Sequence, residues 1–151
     1  MESLGIATDE IQQYTRTMAE ILALIHWVAN IHGNDIEFVL APPRHDMPAP
    51  SSPMRSNILG EHAMWVLDFD LCRKMTMDLK GVEQAVVAFW GNDPYYPRPQ
   101  TEPFLCAALF ESSEGEMRRV LSQKFIEEVE KEGERRREQR KGLKAMPTHE
   151  C

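Results

Sequence analysis

The residues best suited to chemistry in this sequence are several acids and a histidine in two short stretches. Asp68-Phe69-Asp70 directly follows an apolar run ending at Leu67, and His32, Asp35 and Glu37 sit in and just after a Gly-Asn turn. A carboxylate at the end of a strand projects its oxygens into a cleft while its backbone stays fixed, which suits it to hold magnesium. In a phosphoryl-transfer layout Asp68 is the metal ligand and Glu37 occupies the place of a second ligand. His32 or Asp35 stands in for the base that orients the nucleophile. Each residue also has an ordinary structural reading. Asp68 serves equally as a strand-end acid satisfied by backbone amides or an arginine, and His32 as a turn histidine.

Other residues give less. Cys72 and His62 form a thiol and imidazole pair only if the fold orders them, and a buried structural thiol is the plainer reading of Cys72. Ser51-Ser52 lies in a proline-rich stretch and reads as a phosphorylation site or as plain linker. Tyr95-Tyr96 offers rings to stack on a ligand or to cover the core. The arginines between Arg135 and Arg140 alternate with acids and read as a solvated helix face. The three cysteines and five histidines lack the paired spacing of a structural zinc site.

The elements that must position these residues follow from periodicity. Ile11, Tyr14, Met18, Ile21, Leu22, Ile25 and Val28 recur at helical spacing, after Asp9 as a cap with Gln12 three residues on. Gly33 and its Asn neighbours end that helix between 30 and 34. Ile36–Leu40 and Ala63–Leu67 read as two short strands, which need a helix to pack on. The five prolines between Pro42 and Pro53 mark residues 42–60 as a mobile loop. Asp78 caps a helix with Val82, Ala85, Val86 and Phe89 on its inner stripe. Asn92 to Pro99 is a loop, Glu102–Phe110 a short apolar helix, and Met117, Val120, Leu121, Phe125, Ile126 and Val129 the stripe of a last helix. From Glu130 the stripe gives way to continuous charge. Residues 1–129 are therefore expected to form one globular domain, and 130–151 a charged helical extension and tail.

Composition sets the class. With 151 residues, 42% hydrophobic and 27% charged, the chain has the size and balance of one globular domain. A net charge of −7 argues against nonspecific association with nucleic acid or an anionic membrane. No apolar run approaches the roughly 20 residues of a membrane span. The N-terminus has neither a basic start nor an apolar signal core, and three widely spaced cysteines suit a reducing compartment. The expected location is intracellular, in cytoplasm or nucleus.

The order of helix, loop, strand, strand and acidic turn is that of a kinase-like C-terminal lobe. A kinase also needs a Gly-rich turn over the phosphates and a strand lysine to pair them, and the sequence before the first helix encodes neither. No Gly-x-x-x-x-Gly-Lys phosphate loop occurs. Asn34-Asp35-Ile36-Glu37-Phe38-Val39-Leu40, Trp65-Val66-Leu67-Asp68-Phe69-Asp70 and Asn92-Asp93-Pro94-Tyr95-Tyr96-Pro97-Arg98-Pro99 carry a closer likeness. Together with Met18 to Trp27, Gly81 to Ala85 and Phe125 to Glu127, they resemble a fungal family catalogued as domain of unknown function 3669. Members of that family are often labelled zinc finger proteins. The resemblance implies longer relatives with a part preceding the first helix, and an Asp at the position that His32 holds here. It supplies no biochemical function.

The expected fold is thus α+β, mostly helical, like a degenerate kinase-like lobe with a short two-stranded element. The expected function is noncatalytic binding or an accessory role, without a cofactor, through a protein partner or self-association. One alternative is a small-molecule phosphotransferase half that uses Mg-ATP with a separate partner. Another, motivated by the fungal resemblance, is an accessory protein of specialised metabolism.

Overall fold

The structure, a computed structural model, describes residues 5–43, 54–92, 98, 109, 111 and 115–144. The first helix, α1, spans Thr8–Trp27. The Glu10 carboxylate reaches back to accept the Ala7 N–H at 3.1 Å, so the helix starts before the expected Asp9 cap. Its inner face buries Tyr14, Ala19, Leu22, Ile25 and Trp27, while Val28, expected on the stripe, is exposed. The Val28 and Ala29 N–H groups both return to the Leu24 carbonyl, and Asn30 turns the chain away with φ 57°. Asn tolerates this left-handed conformation better than most side chains, and the backbone there is at once put to use. The Asn30 carbonyl accepts from Met75 N–H at 2.8 Å.

Two antiparallel sheets follow among the described residues. β1 (Ile31–His32) pairs with β5 (Arg73–Lys74), setting His32 opposite Arg73. β2 (Glu37–Ala41), β4 (Gly60–Leu67) and β3 (Arg55–Asn57) form a three-stranded sheet in the order β2-β4-β3. The α+β class is as expected, but the two-stranded element is a three-stranded sheet plus a separate two-stranded pair. Strand β3 and Gly60, the first residue of β4, fall inside the expected loop 42–60, and β4 starts three residues before the expected Ala63; residues 44–53 lie outside the described residues. Arg55-Ser56-Asn57 has no apolar alternation to announce a strand. It is held by side chains instead: Asn57 Nδ2 donates to Glu10 at 2.7 Å and to the Tyr14 hydroxyl at 2.9 Å, and Arg55 donates to Gln13.

Helix α2 (Leu79–Gly91) begins where expected, with the Asp78 carboxylate accepting the Gly81 N–H at 3.0 Å. Gly81 is required there, since a Cβ would lie 1.8 Å from the Thr76 carbonyl oxygen. Helix α3 (Glu116–Lys144) runs without a break across the 129/130 composition boundary. Leu121, Phe125, Ile126 and Val129 are buried, whereas Met117 and Val120 are 65% and 56% exposed, so its buried stripe starts one turn later than the sequence pattern gives. The core lies where α1, α2 and α3 meet, with Phe89 and Phe125 edge to face at 5.7 Å. The expected helix 102–110 lies outside the described residues except for Leu109, which is buried and accepts a hydrogen bond from the Ser122 hydroxyl. Among the described residues no helix is long and apolar enough to cross a membrane.

Candidate functional site

The two stretches singled out by their chemistry are brought together by the β1–β5 and β2–β4 pairings. Between β1 and β2 the chain makes a tight turn. Asp35 takes φ 64°, and a Cβ on Gly33 would press to 2.9 Å from the Ile36 side chain. Asn92, at the end of α2 and only 5% exposed, holds this turn from below. Its Oδ1 accepts the Asp35 N–H at 2.7 Å and its Nδ2 donates to the Gly33 carbonyl at 2.9 Å. A buried amide placed this way satisfies two backbone groups that would otherwise be desolvated without partners. Arg98 in turn donates to the Asn92 carbonyl at 3.1 Å, with its guanidinium 4.5 Å from the Trp90 ring centre.

The facing turn after β4 is equally tied down. Asp68 adopts φ 59°, and the Cys72 N–H closes on the Phe69 carbonyl at 3.0 Å. Arg73 Nη1 donates to the Asp70 and Cys72 carbonyls, both at 2.7 Å. The Cys72 thiol bridges the two turns by donating to the Asn34 carbonyl at 3.6 Å. Burial pushes that thiol above its usual pKa; the neighbouring Asp68 and Asp35 add to the effect, and Arg73 opposes it. Cys72 is thus a protonated strut between the turns rather than an activated nucleophile.

His32, expected in a turn, is part of β1. Partial burial first, and the Arg73 charge second, lower its pKa, and its Nδ1 is buried without a hydrogen-bond partner among the described residues. Glu37 is the first residue of β2, exposed, and opposite Leu67, so it stands at the same end of the sheet as Asp68. The charges of Asp35 and Asp68 both act on the Cys72 thiol. Among the described residues, however, no three His, Cys, Asp or Glu side chains are grouped closely enough to hold a metal ion. The Cys72 and His62 pair is not assembled. His62 is buried in β4, with Nε2 against the Tyr14 hydroxyl at 2.7 Å and Nδ1 on the Gly60 carbonyl at 2.8 Å. Ser51-Ser52 and Tyr95-Tyr96 lie outside the described residues. The sequence marks Asn92, the organiser of the site, only as the start of a loop.

Two clefts lie elsewhere. One of about 200 Å³ between α2 and α3 is lined by Val86, Trp90, Glu132 and Arg136. Another of about 580 Å³ is lined by Trp27, Val28, Met77 and Met117. Neither includes His32, Asp35, Glu37 or Asp68.

Residues 64–130 match the family model of domain of unknown function 3669, described as zinc finger protein. The match takes in the second half of β4, the Asp68 turn, β5, α2 with Asn92, and the first half of α3; His32, Asp35 and Glu37 lie before it. No curated protein and no solved structure matches the chain.

Proposed function

We propose that this chain is a noncatalytic binding or accessory protein built on a kinase-like C-terminal-lobe arrangement. The observation that carries the reading is how Arg73 is used. Phosphoryl transfer depends on cations free to hold charge on the transferring group. Arg73, whose charge is felt by both His32 and Cys72, is oriented by its Nη1 onto two backbone carbonyls at 2.7 Å, which aims the guanidinium at its own turn. It stabilises a turn. Carboxylates alone attract magnesium only loosely, because that ion usually completes its shell with substrate phosphates.

A phosphotransferase half that works with a separately encoded partner is the second reading. The placement of Glu37 opposite Leu67, one residue from Asp68, favours it. Calorimetry with Mg-ATP on wild type and Asp68→Ala, with a phosphate-release assay, separates the two. The expected outcome is no phosphate release and binding weaker than about 100 μM, the affinity that corresponds to roughly 5 to 6 kcal/mol. Tighter binding that Asp68→Ala abolishes would overturn the noncatalytic reading and establish the second.

A further inference from the structure

The turn between β4 and β5 presents an unusual surface. Leu67, Phe69 and Leu71 are 45%, 51% and 47% exposed within five consecutive residues. Asp68 and Asp70 separate them and are exposed, as are Asp35 on the facing turn and Glu37 at the start of β2. The exposure is not that of a loose segment. The Phe69–Cys72 closure, both Arg73 donations and the Cys72 thiol bond to Asn34 fix the turn, and Asn92 fixes the turn facing it. About half of the surface of each of these three large apolar residues is left in water by a turn that hydrogen bonds hold in place. Such grouped exposure marks an interaction surface.

We infer that this rim, Leu67–Leu71 with Asp35 and Glu37, docks a cationic amphipathic segment of a partner protein. Charge complementarity selects the occupant. Asp68 and Asp70 alternate with the apolar side chains, Glu37 stands opposite Leu67 and Asp35 lies on the facing turn. These four exposed carboxylates outnumber the two exposed cations of β5, Arg73 and Lys74, so a partner that matches this balance carries basic residues interleaved with apolar ones. An anionic or purely apolar partner would leave those carboxylates desolvated without compensation. The preformed turn lowers the ordering cost on this side of the interface. The inference rests on the binding-protein reading above and names the class of partner.

The test uses the full chain and a fluorescent synthetic peptide with lysine and leucine at amphipathic helical spacing. A glutamate-leucine peptide and a lysine-serine peptide are the controls. Only the lysine-leucine peptide should bind. Phe69→Ser and Asp70→Lys should each weaken it at least about tenfold, the signature of a central contact, and added salt should weaken it further. Glu83→Lys, the same charge change on the exposed face of α2, should leave binding within about twofold of wild type, since a distant charge is screened. All three side chains are exposed, and matched melting curves confirm that the variants fold; Leu71→Ser replaces any that does not. Equal binding of the control peptides, or equal weakening by Glu83→Lys, would overturn the proposal. So would salt-sensitive self-association that Asp70→Lys abolishes without peptide binding, which would give the rim to a second copy. Each titration is repeated with Mg-ATP. Phosphate release in that arm defeats the noncatalytic reading, whereas loss of peptide binding without phosphate release defeats only the docking assignment.

Discussion

His26 is a buried imidazole with a thermodynamic consequence. Its ring lies edge to face with Trp27 at 5.4 Å and Phe125 at 5.2 Å, and its Nδ1 has no hydrogen-bond partner among the described residues. Burial, with a smaller contribution from His32, pushes its pKa down to about 3. In the unfolded chain the same group takes a proton near its ordinary value of about 6.5. Between those two values the unfolded state therefore binds more protons than the folded one, and stability falls as the pH drops through that window. From pH 7 to pH 5 the loss from this residue alone is about 2 kcal/mol. The Glu132 carboxyl, held down to about 2 by Arg135 and Arg136, loses its contribution mainly as the pH falls below about 4.5. His32, whose pKa is also lowered, adds to the loss in the same direction, so it is the difference between wild type and a His26 variant that isolates His26. Urea denaturation of wild type at the two pH values should show that loss, and His26→Leu should flatten most of it. Equal pH dependence in both proteins would mean that His26 is solvated or protonated in the fold.

At the scale of elements, α3 is one helix across a sharp change of composition. Trp90 Nε1 donates to the Val129 carbonyl at 3.2 Å, and the Arg136 guanidinium stacks 4.9 Å from the Trp90 ring centre while its Nε meets Glu132 at 2.7 Å. Ending the chain after Val129 deletes that arginine contact, worth about 1 kcal/mol. It also leaves the carbonyls of the last buried turn without helical partners. Truncation after Val129 should therefore destabilise the protein by about 2 kcal/mol, whereas truncation after Arg140 should cost less than about 0.5. Indistinguishable urea midpoints for the two would show that nothing beyond Val129 supports α2. The sequence pattern made α1, the Asp78 cap, α2 and strands β2 and β4 legible, because apolar spacing and a local cap encode them. It could not reveal β3 or the two-residue β1–β5 pair, whose stability comes from partners far along the chain. Asn57 reaches Glu10 across 47 positions. Asn92 reaches Asp35 across 57. The order of the acids around His32 and Asp68 was readable; the polar clamp that sets their relation was not, since a buried asparagine has no periodic signature.

For the whole molecule, α1 joins two unlike halves. Toward its C-terminus Leu22, Ala23, Ile25 and Trp27 are buried in the apolar core with α2 and α3. Its N-terminal half holds the β3–β4 hairpin through Glu10, Gln13 and Tyr14, and Ala63 is the fully buried apolar residue of the sheet, with Phe38 and Val66 partly buried. The helical half is thus secured by packing and the hairpin largely by hydrogen bonds, an arrangement that allows one to open without the other. Tyr14 is the joint. Its hydroxyl meets His62 Nε2 at 2.7 Å and accepts from Asn57 at 2.9 Å. Tyr14→Phe removes the partner of a buried imidazole nitrogen, a change of about 1 to 3 kcal/mol. Native-state hydrogen exchange should then show the amides of β3 and the first residues of β4 losing protection by that amount. Those around Phe89 and Phe125 should exchange as in wild type at low denaturant. A uniform loss across all of these amides would mean that sheet and helices unfold as a single unit, and that α1 transmits every loss in the hairpin to the core.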